Sequence, residues 1–203
     1  MERVCAYIDG FNLYFGIKSS GWRHLYWLNV RLLCQSLLKP GQELVFTSYF
    51  TSRVGQPEEK RKRQETFLSA LGTLSDFRIF LGKYQLNRRV CPRCRFEDRI
   101  PNEKMTDVNI AVEMMSDAFQ DKYDTALLIS ADSDLRSPVT TVRRLFPQKK
   151  VVVAFPPNRV STELKSVASA YIHIGHDKLR HSLFPSRIQL ASGNVIERPA
   201  RWH

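Results

Sequence analysis

The chain has 203 residues, 43% hydrophobic and 25% charged, which suits one globular domain with a core of its own and excludes a disordered chain. Its 31 lysines and arginines against 20 acids leave a formal net charge of +11, which points to a polyanionic partner, nucleic acid first, or as readily to a basic but functionally idle surface. No apolar run approaches the roughly 20 residues that span a bilayer, and the four cysteines are too few and too scattered for a disulfide framework.

Met1-Glu2-Arg3-Val4 leads into a strand with no signal-peptide pattern, so the expectation is a cytoplasmic, reduced protein without membrane contact. The first strand, residues 4–8, ends on Asp9-Gly10, where glycine permits a sharp turn into a helix over 11–18. Asn29 caps a helix to about residue 38, which Pro40-Gly41 ends. A second strand covers 44–50. A polar connection then leads to a helix over 58–74 that opens with Lys60-Arg61-Lys62-Arg63, and 78–81 reads as a third strand. Residues 82–104 show no clear periodicity and carry Lys83, Arg88, Arg89, Arg93, Arg95 and Arg99 around Cys91-Pro92-Arg93-Cys94. They read as an excursion from the sheet, a ribbon or knuckle, rather than a core element.

Thr106 or Asp107 caps a helix to about 119, with Val108, Ala111, Val112, Met115 and Phe119 along one face. Next comes Leu127-Leu128-Ile129-Ser130-Ala131-Asp132-Ser133-Asp134-Leu135. It starts as a buried strand, over 125–130, and breaks into two carboxylates one residue apart, with Ser133 or Asp134 a natural cap for the next helix. That helix over 137–145, a strand over 151–155, a short helix over 161–168 and a strand over 171–174 complete the alternation. The tail from about 184 carries hairpin signals around Ser192-Gly193-Asn194, and Trp202 is a candidate anchor onto the body.

Strands alternating with helices predict a parallel sheet covered on both faces, with ligands bound at the carboxyl edge of the strands. Asp9, Asp132 and Asp134 fall on that edge. Asp107 joins them only if the loop before its helix lies there too. Converging carboxylates repel one another unless a cation neutralises them. Mg²⁺ and Mn²⁺ favour such oxygens, and a divalent metal can activate water and stabilise charge on a phosphate. Asn12, one turn past Asp9, can orient a water or phosphate, and Ser130 can hydrogen-bond the ligand shell. Each residue also has a plainer reading: a helix cap for Asp107 or Asp134, a simple turn for Asp9-Gly10, a surface position for Asn12.

Tyr7-Ile8-Asp9-Gly10-Phe11-Asn12-Leu13, then Glu103-Lys104-Met105-Thr106-Asp107-Val108, then Ser130-Ala131-Asp132-Ser133-Asp134 with Ser137-Pro138, resemble in order and spacing the NYN-domain family of PIN-like proteins. The resemblance runs through most of the chain. It implies a PIN-like Rossmannoid three-layer α/β/α fold with a mainly parallel central sheet, spanning residues 1–182 with a basic insertion at about 82–104, and a C-terminal tail over 183–203 packed on it. It also implies a ribonuclease using Mg²⁺ or Mn²⁺, with Asp9, Asp107 and Asp132 as the principal metal-site acids, Asp134 a fourth and Asn12 the accompanying polar residue. Met105-Thr106 stands where relatives commonly have Gly-Val, and Leu135 where an aromatic is usual. Neither departure removes a carboxylate.

Cutting RNA requires holding the strand across the metal, which Lys and Arg contacts to phosphate supply. Arg53, Lys60, Arg61 and Arg63 form one candidate patch; Lys83, Arg88, Arg89 and Lys104 form another; Arg136 adjoins the acidic turn. Tyr14, Phe15, Tyr49 and Tyr84 are candidate stacking residues. A charge run at a helix start is as readily a solvated face, and aromatics as readily core. Cys91 and Cys94 have half of a zinc-knuckle spacing, but a structural zinc takes four ligands. With no second pair nearby, a loop turn is preferred to zinc shared across a homodimer. The alternatives to a ribonuclease are a non-catalytic RNA-binding or regulatory module, and a phosphatase or DNA nuclease, since Asp-x-Asp after a strand also serves Asp nucleophiles.

Overall fold

The computed structural model describes residues 1–90 and 92–202, with the side chains of 83–90 and 98–104 outside the description. In chain order the elements are β1 (Glu2–Asp9), α1 (Gly10–Ser19), α2 (Val30–Ser36), β2 (Gln42–Ser52), α3 (Glu58–Leu71), β3 (Phe77–Val90), β4 (Glu97–Lys104), α4 (Thr106–Phe119) and β5 (Thr125–Ile129). The remaining elements are α5 (Arg136–Leu145), β6 (Lys150–Phe155), α6 (Thr162–Val167), β7 (Ala170–His173), α7 (His176–Arg180), β8 (Arg187–Gln189) and β9 (Val195–Glu197).

The main sheet has the order β4-β3-β2-β1-β5-β6-β7, with all neighbours parallel except the antiparallel β3–β4 pair. The chain builds outward from β1 through β2 and β3, then returns to start again at β5 on the other side of β1. That reversal between β1 and β5 opens a crevice at their carboxyl ends. Both faces of the central strands are buried, as a covered parallel sheet requires. Val4, Ala6 and Ile8 of β1 join one core with Leu13 and Ile17 of α1, Leu33 of α2 and Leu71 of α3. Cys5 and Tyr7 face the other, with Ile110 and Met114 of α4, Val139 and Val142 of α5 and Leu164 of α6. The resulting α/β/α layering is the one the alternation predicts.

The stretch without periodicity is a two-stranded ribbon. Residues 77–82 of β3 pair with β2, whereas Lys83–Val90 pairs with Glu97–Lys104 of β4, beyond the carboxyl edge of the sheet. The ribbon comes home where it left, since Lys83 opposes Lys104. Helix α4 therefore starts at the carboxyl edge and runs back down the face, so that β5 enters parallel to β1.

The helix starts differ from the sequence reading in two places. Met105, not Thr106 or Asp107, occupies the N-cap of α4, with φ 81° and ψ −8° in the left-handed region. Asp132, not Ser133 or Asp134, caps the short turn after β5. Helix α3 ends at Leu71 rather than 74, because Thr73 and Leu74 bond back three residues to Ala70 and Leu71 and tighten the chain out of the helix. The tail strands β8 and β9 pair antiparallel, and the Trp202 ring lies 6.3 Å from that of the fully buried Trp27 and 6.2 Å from Phe67. Among the described residues no helix is long and apolar enough to cross a membrane.

Candidate active site

Asp9 ends β1 and caps α1 with the same carboxylate. Its Oδ1 accepts from the Asn12 N–H at 2.9 Å, while Oδ2 accepts from Asn12 Nδ2 at 3.0 Å and from the Ser130 hydroxyl at 2.9 Å. The side chain is only 4% exposed. Burial raises its pKa, the bonds from Asn12 and Ser130 pull it back, and the Asp132 charge pushes it up again. Ser130, fully buried just past β5, also accepts the Asp132 N–H at 3.0 Å, so one hydroxyl ties the two acid-bearing strand ends together. Gly10 is required by proximity. A Cβ there would lie 2.5 Å from the Tyr49 ring and 2.8 Å from the Phe50 carbonyl oxygen.

Asp132 Oδ1 accepts the Asp134 N–H at 3.0 Å, which fixes the turn and leaves Asp134 exposed. Asp107 is the second residue of α4, brought to this edge by the ribbon. One carboxylate oxygen each from Asp9, Asp107 and Asp132 lie within 4.8 Å of one another. Asp134 is outside that set, although its charge reaches Asp107. Asp107 is the strained member, its pKa pushed up to about 6 by burial first and then by the charges of Asp132, Asp9 and Asp134. The three acids and Asn12 line a cavity of about 240 Å³ whose other walls are Phe11, Phe15, Met105, Thr106 and Arg159. Three hard oxygen donors that repel one another when charged could hold a divalent cation, whose binding would relieve the repulsion.

The sequence reading missed Phe11 and Arg159. Gly16 lets α1 press against Pro156 and Pro157, where a Cβ would sit 2.7 Å from the Pro156 Cβ and 2.8 Å from the Pro157 carbonyl oxygen. That contact delivers Arg159, whose Nη1 donates to Asn12 Oδ1 at 3.0 Å and whose guanidinium lies over the Phe15 ring at 5.8 Å. Asn12, expected to orient a water or phosphate, engages both ends of its amide within the protein, Nδ2 donating to Asp9 and Oδ1 accepting from Arg159 and from the Ala131 N–H at 3.3 Å. The only advance signal for Arg159 was a Pro-Pro turn after a strand at the carboxyl edge.

The basic candidates fall into three groups. Arg53 is exposed in the connection after β2, whose Phe50 pairs with Asp9, so it lies along the same edge. Lys60, Arg61 and Arg63 lie on the first turns of α3, where Arg61 pairs with Glu65 at 3.2 Å and Glu58 at 3.9 Å, Lys62 with Glu58 at 2.9 Å and Arg63 with Glu59 at 3.7 Å. That patch is half neutralised by its own helix. The backbones of Lys83 and Lys104 face each other at the root of the ribbon, and their side chains, with those of Arg88, Arg89 and Tyr84, lie outside the described residues. Arg136 is exposed at the start of α5, and its charge helps to lower the pKa of Glu163, after that group's bonds to its own backbone, Ser161 and Thr162. Tyr49 is buried beneath Gly10, whereas Phe15 is 40% exposed beside the cavity. Cys94 is an exposed free thiol, and Cys91 lies outside the described residues.

The family model for the NYN domain matches residues 3–175. The chain is 25% identical over 214 aligned positions to 6-hydroxy-3-succinoylpyridine 3-monooxygenase HspA of Pseudomonas putida; the match covers 88% of this chain and spans 66% of that protein's length. A crystal structure of a protein of unknown function from Vibrio parahaemolyticus shares the fold, with a TM-score of 0.56 at 19% identity over 87% of this chain and 94% of that one.

Proposed function

The chain belongs to the NYN-domain family, and from that membership we propose that it is a metal-dependent ribonuclease that hydrolyses RNA phosphodiester bonds in the cytosol. The observation that carries the proposal is the convergence of Asp9, Asp107 and Asp132 within 4.8 Å at the crevice between β1 and β5. A protein that only bound RNA would have no use for repelling carboxylates beside phosphate, and the net charge of +11 favours a polymeric anion over a small one. The name of the Pseudomonas relative describes an oxidation; nothing in the carboxylate cluster favours that chemistry over hydrolysis.

In the proposed mechanism Asp9, Asp107 and Asp132 would hold Mg²⁺ or Mn²⁺. The ion, when bound, lowers the pKa of water and neutralises charge growing on the phosphate. Asn12 and Ser130 fix the Asp9 carboxylate by three hydrogen bonds, so its lone pairs are aimed before substrate arrives. Asp132 is held by its bond from the Asp134 N–H, and Asp134 adds negative potential at the rim. Cations along the carboxyl edge, Arg53, Arg136 and the ribbon among them, track the RNA backbone.

A 5′-labelled single-stranded RNA incubated with Mn²⁺, with Mg²⁺ or with EDTA, alongside Asp132→Asn, tests the reading. Metal-dependent cleavage that the substitution lowers by more than about 100-fold is expected, since even partners one shell out are worth up to that much. Binding of RNA without cleavage in either metal would move the protein to the binding-module class.

A further inference from the structure

The residue that the catalytic reading leaves without a task is Arg159. Among the described residues lining the acidic cavity it is the one cation. It is also held: Nη1 bonds Asn12 Oδ1 at 3.0 Å, the guanidinium lies over the Phe15 ring at 5.8 Å, and its own N–H bonds the Pro156 carbonyl at 3.2 Å. Yet among the described residues it pairs with no carboxylate, although three lie around the same small cavity. Arg3 and Lys149, at the opposite edge, are both ion-paired, Arg3 with Asp124 at 2.8 Å and Lys149 with Asp121 at 2.7 Å. A guanidinium carries five donors in a planar fork, and the bond to Asn12 leaves donors for an anion.

We infer that Arg159 is a substrate-contacting residue of this site, whose guanidinium takes a non-bridging oxygen of the phosphate that the carboxylates address. This rests on the ribonuclease reading. The chemistry is that of a charge-assisted bond made to an oxyanion by a donor set in place beforehand, the arrangement that costs least to reorganise as charge grows. Phe15 and Asn12 preorganise the fork, and Asn12 couples it to Asp9. The phosphate would thereby lie between the acids that would hold the ion at one wall and Arg159 at the other, with Arg159 as its protein contact. The subsite recognises the backbone and not the base, so it confers no sequence preference.

The test uses the full chain and the variants Arg159→Ala, Arg159→Lys and Phe15→Leu, the last of which removes the ring behind the guanidinium and keeps the cation. Three quantities are read: single-turnover cleavage in Mn²⁺, Mn²⁺ affinity in the absence of RNA, and the salt dependence of RNA binding in EDTA. Expected are a fall in cleavage of about 100-fold for Arg159→Ala and at least about 10-fold for Arg159→Lys, as for loss of one oxyanion donor. Phe15→Leu should fall between wild type and Arg159→Ala. Mn²⁺ affinity should stay within about 3-fold of wild type, and the slope of log K against log salt should drop by roughly 0.7 in Arg159→Ala, the value of one single-strand phosphate contact. Wild-type cleavage in the arginine variants, an unchanged slope, or Mn²⁺ affinity falling in step with cleavage would overturn the inference, the last by showing that Arg159 acts only through Asn12 and Asp9. If wild type cuts no RNA in either metal but the slope still drops, the phosphate contact stands and the nuclease reading falls.

Discussion

Replacing Asp107 with Asn should make the metal-free protein more stable and the metal-loaded protein less so. The Asp107 pKa is pushed up from an ordinary value of 3.8 to about 6. For a carboxylate raised in this way, the favourable contribution is complete below the unfolded value and is lost as pH rises through the folded one. At pH 7.5 the charged side chain is therefore a net cost. At about 1.4 kcal/mol per pKa unit the full cost is about 3 kcal/mol, which partial exposure cuts to roughly half. An acid in the first turn of α4 also gains about 0.5 kcal/mol from the helix dipole, which Asn forgoes. The expected net gain is about 1 kcal/mol, or about 2–4 °C in melting temperature for a chain of this size. The assay is thermal melting in EDTA at pH 7.5 and at pH 4, then at pH 7.5 with Mn²⁺. The gain should shrink to roughly 0.3 kcal/mol at pH 4, where Asp107 is protonated in the folded state and, with an ordinary value of 3.8, a little under half protonated in the unfolded one. Saturating Mn²⁺ should reverse the order, since a ligand at 100 times its Kd adds about 2.7 kcal/mol to the protein that binds it and less to the variant. An Asp107→Asn protein no more stable than wild type in EDTA at pH 7.5, or equally favoured at pH 4, would refute the idea that burial and like charge together strain Asp107.

Gly10→Ala should destabilise by about 2 kcal/mol or more in urea unfolding, although Ala outranks Gly within helices, because its Cβ would meet the Tyr49 ring at 2.5 Å; a stabilised variant would mean the approach is looser than described. Met105→Gly should gain about 0.5–1 kcal/mol in the same assay by relieving a left-handed backbone at φ 81°, and a loss would show that the Met105 side chain, at the cavity wall, contributes more than its backbone costs. Neutralising Lys60, Arg61 and Arg63 together should lower the salt slope of RNA binding by clearly less than the roughly 2.1 expected of three phosphate contacts, given the pairing of both arginines with Glu58, Glu59 and Glu65; a full drop would show that RNA displaces those acids. Thiol alkylation at pH 8 should label Cys94 and spare Cys34, which is fully buried and whose pKa burial pushes up to about 12; rapid labelling of Cys34 in the native protein would contradict the packing of α2.

The acids differ in how far the sequence exposes them, and the differences have physical causes. Asp9 and Asp132 are legible because each interrupts an apolar run at a strand end, where a parallel sheet dictates one edge. Asp107 is not, since a residue at the start of a crossover helix reaches that edge only if the preceding chain brings it there. Here the β3–β4 ribbon does so by leaving and re-entering at Lys83 and Lys104, a pairing without apolar periodicity to betray it. Only the family resemblance placed Asp107 in the site. Asp134 reads from the sequence as a fourth acid behind Asp132; the Asp132 side chain bonds the Asp134 N–H, and the turn leaves Asp134 outside the cluster. Met105 gives no sign of its left-handed backbone, because a residue other than Gly or Asn is a poor marker of positive φ.

The same geometry explains why the site costs stability wherever it gains function. Strand order alone brings Asp9 beside the turn that carries Asp132, and the fold needs neither charge: Asn could cap α1 as well as Asp9 does, and Ser could cap the turn after β5. What the scaffold adds is confinement. Ser130 and Asn12 hold Asp9 in a buried position, α4 lowers Asp107 into range of two other acids, and Pro156 and Pro157 pressed on Gly16 set Arg159 opposite them. Each of these devices opposes what burial and like-charge repulsion would otherwise do. A scaffold that commits hydrogen bonds and close backbone contacts to keeping three acids together, with Arg159 set across from them and paired with no carboxylate among the described residues, is the arrangement that the proposed hydrolysis of a phosphodiester would require.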